Sequence, residues 1–266
     1  MQKLPYPINT VCEEAKCPNR GECFSKKTVT FLLLGKTCTR NCLFCGIDKG
    51  TPDTLQENEP DKILAAIKHF ALRYVVLTSV TRDDLKDGGS GEFVNVMQKI
   101  NDYNPDIKIE VLVPDFQGNW EAINKVCELK PFVFNHNLEL VPNIFKTYRP
   151  LGNFDLSLDI LKYVKKNYQH LHVKTGIMVG LGETKEEVVQ LIKLLGSLGI
   201  DILTIGQYLQ PSKKCAEVKR FVLPEEFLEY EKSGESWGIK VIAGPLVRSS
   251  YMAEAVLYDK ITNKHE

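Results

Sequence analysis

Six short apolar runs alternate with amphipathic stretches along most of this chain, and that alternation restricts its fold more than any other feature. The runs are FLLLG (31–35), YVVLTSV (74–80), IKIEVLV (107–113), FVFNHNL (132–138), HVKTGIMVG (172–180) and ILTIGQY (202–208), with IKVIAGPLV (239–247) as a seventh candidate. Most are near-continuous in Val, Ile and Leu, as strands covered on both faces of a parallel sheet must be. Between them, apolar residues recur at helical spacing. TKEEVVQLIKLLGSLG opens with a capping box, Thr184 and Glu187, while Pro60 in EPDKILAAIKHFAL and Pro224 in LPEEFLEYEK stand where a first helical turn tolerates proline. Such alternation builds either an open doubly wound sheet or a full or partial (β/α) barrel. In both, functional residues collect beyond the C-terminal ends of the strands.

Polar residues do follow the apolar runs: Thr78, Ser79 and Arg82 after the second, Asn135, Asn137 and Glu139 after the fourth, Gln207 and Tyr208 at the sixth. Loop solvation accounts for any one of them; recurrence at several strand ends points to a shared site. No linker, low-complexity tract or charge block marks a second domain. Residues 31–239 therefore read as one core, flanked by extensions over 1–30 and 240–266.

Charge and cysteine content narrow the chemistry. Lys plus Arg equals Asp plus Glu at 34 each, which argues against a nucleic-acid surface working by counterion release. No apolar run reaches the eighteen or so residues of a membrane span. The N-terminal MQKLPYPINT has neither a signal core nor an Arg-rich transit pattern, so a cytoplasmic location is expected. Thiols stay reduced there, and six of the eight cysteines crowd into the first 45 residues, a clustering that favours metal over disulfides. Cys127, within NWEAINKVCELK, reads instead as a helical core residue. Cys38, Cys42 and Cys45 are spaced C-x3-C-x2-C, and Cys12, Cys17 and Cys23 are spaced C-x4-C-x5-C. A structural zinc takes four ligands, whereas three thiolates on a [4Fe–4S] cube leave one iron open. Three cysteines on a loop after the first strand place that open iron at the mouth of the sheet. Zinc remains an alternative at this level.

The spacing C-x3-C-x2-C, with Phe44 before its last cysteine, resembles the signature of the radical S-adenosylmethionine (SAM) enzymes. GIMVGLGE similarly resembles their G-x-I-x-G-x-x-E adenine-packing pattern, at Gly176, Met178, Gly180 and Glu183. Taken in order, NTVCEEAKCPNRGEC, GKTCTRNCLFC, TSVTRDDLKDGG, FNHNLELV, MVGLGET, LTIGQYLQPSKK and GPLVRSSYMAE are similar to the lipoyl synthase family over almost the whole chain.

The resemblance implies an α/β fold, a partial (β/α)6 TIM-like barrel of the radical SAM type whose N- and C-terminal extensions carry an auxiliary cluster. It implies two [4Fe–4S] clusters and SAM. Cys38, Cys42 and Cys45 would hold the SAM-binding cluster; Cys12, Cys17 and Cys23 would hold the auxiliary one, completed by Ser250 or, failing that, Ser249. Thr78, Ser79 and Arg82 would meet the methionyl part of SAM, Asn137 and Glu139 its ribose or methionine, and Phe44, Gly176, Gly180, Glu183 and Gln207 complete the cofactor set. Arg248 would steady the auxiliary cluster.

The implied activity is sulfur insertion at C6 and C8 of a protein-bound octanoyllysine. Those carbons have no acidic proton and no leaving group, so acid–base and nucleophilic devices have nothing to act on. Implied partners are octanoylated carrier domains (E2 subunits of 2-oxoacid dehydrogenases, glycine-cleavage H protein), an electron donor such as flavodoxin or ferredoxin, and an Fe–S carrier that rebuilds the spent cluster. Other expectations compete: a different two-cluster radical SAM sulfur inserter, or a non-catalytic zinc or Fe–S module. Cys215 falls where the family more often has histidine and is given no role; His136 reads equally as a packed histidine or a substrate contact. Two departures from the family are the short segment before Val11 and Met252 in place of a basic or polar residue.

Overall fold

The computed structural model describes residues 8–15, 17, 19, 21–22, 29–52 and 54–250. Cys23 and Met252 lie outside them. Seven parallel strands form the main sheet: β1 (Thr30–Leu33), β4 (Tyr74–Ser79), β5 (Lys108–Leu112), β6 (Val133–Asn135), β7 (His172–Val179), β8 (Ile202–Gln207) and β9 (Lys240–Gly244). They lie side by side in chain order, β1-β4-β5-β6-β7-β8-β9. A doubly wound sheet reverses direction at a switch point; this order never does, so right-handed crossovers stack every helix on one face and curl the sheet into a partial barrel. All seven apolar runs are strands, and the last joins β8 from Ile202↔Lys240 to Gly206↔Gly244.

The crossover helices are α2 (Glu59–Phe70), α3 (Ser90–Tyr103), α4 (Trp120–Glu128), α5 (Pro142–Tyr148), α6 (Phe154–Asn167), α7 (Lys185–Ser197) and α8 (Pro224–Ser236), preceded by a short α1 (Val11–Glu14). Capping follows the sequence: Thr184 and Glu187 form a reciprocal capping box on α7, and proline opens α2 and α8. The main core lies between these helices and the outward strand residues, for example Ile63, Phe93, Ile123, Cys127 and Leu161 against Leu77, Val111 and Phe134. Each such aliphatic side chain contributes about 1.5–3 kcal/mol on full burial. Cys127 is a core residue, its thiol pushed up to about 12 by burial. Among the described residues no helix is long and apolar enough to cross a membrane.

Alternate strand residues point inward. Tyr74, Val76, Val133 and Ile202 plug one end of the interior. Above them sits a polar layer: the Lys174 ammonium pairs with Glu110 at 2.9 Å, and Tyr74 and Asn135 donate to the same carboxylate at 2.7 and 3.0 Å. Both charged side chains are buried, so each needs the other. The interior opens above this layer, at the C-terminal strand ends.

Candidate active site

The loop after β1 carries Cys38, Cys42 and Cys45. A parallel ladder of two two-residue strands, β2 (Thr37–Cys38) and β3 (Asp48–Lys49), closes its base, and Gly50 N–H donates to the Cys38 carbonyl at 3.0 Å. Buttresses hold its body. Thr39 N–H donates to Thr81 O, Leu43 N–H to Tyr148 O and Ala216 N–H to Leu43 O, at 3.1, 2.8 and 2.8 Å. Arg40, buried between the first two cysteines, forms two forked pairs. Its guanidinium reaches Asp83 at 2.8 and 2.9 Å and Asp115 at 2.6 and 2.7 Å. The loops after β4 and β5 thereby grip the cysteine loop through one side chain.

The three thiols border a cavity of about 170 Å³, together with Thr78, Ser79, His136, Asn137, Glu139 and Arg149. Burial pushes Cys45 up to about 12 and raises Cys42, whose thiol the nearby Arg149 guanidinium pulls the other way. Glu139 is also raised by burial and also opposed by Arg149. Its φ of 71° places it in the left-handed region, a strain of the kind that clusters at functional sites. Three buried polar atoms lining this cavity have no partner: Ser79 Oγ, His136 Nε2 and Asn137 Oδ1. The His136 Nδ1 lies 2.8 Å from the Val113 carbonyl, which can only accept, so Nδ1 carries the proton and Nε2 offers a lone pair. Burial, with Arg149 nearby, lowers His136 to about 4 and keeps it neutral.

A second cavity, about 400 Å³ and mostly apolar, adjoins the first. Cys12, Cys17, Arg248, Ser249 and Ser250 line it, as do Met178, Gln207 and Tyr208. Phe44 and Cys45 border both cavities. A separate apolar cluster of Leu140, Phe145, Tyr148, Leu181 and Tyr208 packs around Phe44. Among the described residues all cysteines are free, and no three His, Cys, Asp or Glu side chains gather around a single-ion position.

Several expected cofactor contacts do other work. Arg82 pairs with Asp84 at 2.8 Å and donates to the Leu34 carbonyl at 3.3 Å, and it does not border the cavity. The Glu183 carboxylate accepts from Gly180 and Leu181 N–H at 2.6 and 2.9 Å, closing the turn after β7. Gln207 accepts from Val222 N–H at 2.9 Å and donates to Arg220 O at 3.1 Å, which fastens the segment after β8. A side chain at Gly180, where φ is 100°, would strike Gln207 and Arg220, and one at Gly176 would strike Thr204 and Asn137. Arg40 and Arg149 escaped the sequence reading: each is a lone arginine outside any periodic pattern, and the partners of Arg40 stand 43 and 75 residues away.

Comparison with known proteins fixes the kinship. The Radical SAM superfamily profile matches residues 32–195. A lipoyl synthase of Caldicellulosiruptor saccharolyticus is 53% identical over 93% of this chain and 87% of that protein. The chain belongs to the lipoyl synthase family. A lipoyl synthase of Caldanaerobacter subterraneus subsp. tengcongensis is 50% identical over 94% of this chain and 88% of its own length. Solved structures share the fold: Streptococcus suis SuiB bound to S-adenosylmethionine has a TM-score of 0.64 at 10% identity, covering 85% of this chain and 53% of that one. HydG, a maturase of the [FeFe]-hydrogenase, has a TM-score of 0.63 at 14% identity, covering 85% and 54%.

Lipoyl synthases sit within a superfamily that implies a [4Fe–4S] cluster and SAM. The residues that line the smaller cavity suit the chemistry of both groups. Three thiols line it, and buried thiolates require the positive charge that cluster iron supplies. His136 Nε2, Asn137 Oδ1 and the Glu139 carboxylate offer acceptors to this cavity, which would suit a ligand rich in donors.

Proposed function

We propose that this enzyme inserts two sulfur atoms, at C6 and C8 of a protein-bound octanoyllysine, to give lipoyllysine. The observation that carries this reading is the pair of cavities meeting at Phe44 and Cys45, one bordered by Cys38, Cys42 and Cys45, the other by Cys12, Cys17, Ser249 and Ser250. Cys38, Cys42 and Cys45 hold the SAM-binding cluster, and Cys12, Cys17, Cys23 and Ser250 hold an auxiliary [4Fe–4S] cluster. When bound, these groups supply hydrogen-atom abstraction from unactivated carbon and the sulfur itself. A serine oxygen is a poor match for iron beside sulfide and thiolate, so Ser250 suits a cluster that is opened and spent.

The chain's own residues orient and enclose. Thr78, Ser79, His136, Asn137 and Glu139 receive SAM, with Arg149 balancing the buried carboxylate; Arg82, Gly180, Glu183 and Gln207 position the strand ends around it. Phe44, Tyr208 and Met178 keep the junction of the two cavities apolar, which suits an acyl chain and excludes water from reactive carbon. Residues 1–30 and the stretch after β9 bring the auxiliary ligands to the core, which takes in Lys240–Gly244 as its seventh strand. The substrates are octanoylated E2 domains or H protein in the cytoplasm, served by a flavodoxin- or ferredoxin-type donor and an Fe–S carrier.

Anaerobic reconstitution should load about eight iron and eight sulfide per chain. Turnover with an octanoyllysine peptide, SAM and reductant should release 5′-deoxyadenosine and a mono-thiolated intermediate, with sulfide lost from the protein. Full sulfide retention after product forms overturns the assignment of the sulfur source. Comparing Ser249→Cys with Ser250→Cys then identifies the labile ligand: the variant with slowed sulfur transfer marks it.

A further inference from the structure

The segment after β8 runs along the rim of the larger cavity and carries three exposed lysines. Leu209, Gln210 and Pro211 form part of the cavity wall. Lys213 and Lys214, both exposed, follow within about 11 Å of extended chain. Farther on, Lys219 N–H donates to the Gly180 carbonyl at 2.8 Å, placing exposed Lys219 at the end of β7, just beyond the wall residue Met178. Among the described residues none of these three lysines has an ion-pair partner, and the one acid between them is Glu217. Arg220, on the same segment, is committed to Glu226 at 2.7 Å and belongs to the scaffold. Phe221 beside it is 70% exposed.

A substrate tethered through a lysine limits where its carrier can sit. From the carrier backbone to C6 of an extended octanoyllysine is on the order of 15 Å. The carrier surface around the modified lysine must therefore rest on the cavity rim while C6 and C8 are inside. We infer that Lys213, Lys214 and Lys219, with Phe221 as an apolar contact, dock an acidic carrier domain that presents octanoyllysine. This inference rests on the proposed function for its substrate and adds the surface and its charge. In a chain of zero formal net charge, three unpaired lysines on one rim form a local field that steers an acidic partner and fixes its approach.

The test uses the anaerobically reconstituted full chain and octanoylated glycine-cleavage H protein as probe. Two readouts are kept separate: equilibrium binding of the probe, and turnover of a short octanoyllysine peptide. The triple variant Lys213→Glu/Lys214→Glu/Lys219→Glu should weaken probe binding about tenfold or more at low salt. Its peptide turnover should stay within about twofold of the parent, since rim charges lie outside the reacting cavity. Phe221→Ser should weaken binding about fivefold, the size of a modest apolar hot spot. Raising salt from about 50 to 200 mM should weaken the parent more than the triple variant. Lys166→Glu, in the last turn of α6 at the opposite end of the barrel, serves as the charge control and should bind as the parent does. Unchanged probe binding by the triple variant, an equal loss in the Lys166→Glu control, or parallel loss of binding and peptide turnover each overturns the docking surface. If the parent binds the probe through these lysines but yields no thiolated peptide, the proposed chemistry falls and the docking surface stands.

Discussion

Among the described residues, the loop carrying Cys38, Cys42 and Cys45 is braced from several directions, whereas the segment carrying Cys12 and Cys17 is held mainly along the edge of β1. The first has a strand ladder at its base, three backbone bonds to distant loops and the Arg40 fork beneath it. Among the described residues the second rests on a four-residue α1 capped by Thr10, a single bridge from Thr10 to Phe31, a Leu32 N–H to Asn9 O bond of 2.9 Å, and Asn19 donating to Leu246 O at 2.6 Å. Clamping suits a cluster that must survive every turnover in one geometry. On the proposed function, light fastening accords with a site that gives up part of its contents and is refilled, because local opening there costs little of the global stability.

The sharpest way to break this comparison is to remove one ligand from each side. Cys42→Ala should abolish both 5′-deoxyadenosine formation and product, while Cys17→Ala should keep 5′-deoxyadenosine formation but yield no thiolated peptide. Each should retain about four iron per chain. Chromatography of the nucleoside and the peptide in the same reaction checks both. Loss of SAM cleavage in Cys17→Ala would merge the two regions into one functional unit.

Arg40→Ala carries the next largest effect. It leaves Asp83 and Asp115 facing each other without their shared cation, and Asp115 is only 1% exposed. Removing one partner of a buried ion pair costs about 3–5 kcal/mol, read as a lowered urea midpoint. Cluster loading through Cys38, Cys42 and Cys45 should fall with it, while iron held by the other triplet persists.

The strands were legible because burial on both faces forces near-continuous runs of Val, Ile and Leu, and the cysteines because cluster ligation demands local spacing. Thr78, Ser79, Asn137 and Glu139 border one cavity because the strand ends converge on one rim. Arg40 was not legible, because an ion pair 75 residues apart in sequence leaves no periodic trace; Arg149 is a lone arginine with no pattern around it. Glu183 and Arg82 stood in recognisable patterns, yet their atoms close turns rather than border the cavity; a motif marks that a residue is needed without saying which atom it touches. The choice between a doubly wound sheet and a barrel was equally hidden, since both use the same alternation and differ only in strand order.

Glu59 gives a pH handle on the braced side. Its carboxylate accepts the Leu34 N–H at 2.9 Å, at the left-handed turn that leads into the cysteine loop. Burial, with Glu92 nearby, raises it from 4.5 to about 7. A raised acid holds its proton longer in the folded state than in the unfolded chain. Folding therefore loses stability as pH climbs between these values and does not regain it above them. Glu59→Gln keeps the acceptor and removes the charge. The variant should match the parent near pH 4.5 and exceed it by about 2 kcal/mol at pH 8, after allowance for partial solvation. Urea melts across that range decide it; parallel curves at every pH would mean that Glu59 ionises freely.

The smallest expected effect belongs to the lightly fastened side. Asn19 is 4% exposed, and its amide donates to Leu246 O, so it ties the segment around Cys12 and Cys17 to the one that ends in Ser249 and Ser250. Asn19→Ala removes one neutral hydrogen bond, worth about 1 kcal/mol at most. Global unfolding should barely register it, because the sheet and helices do not depend on this contact. Hydrogen exchange at residues 10–15 and 245–250 should quicken while the strands keep their protection, and loss of auxiliary iron to a chelator should accelerate. If Asn19→Ala instead lowered the urea midpoint as far as Arg40→Ala does, the two regions would share one stability and the contrast between a clamped and an openable site would be gone.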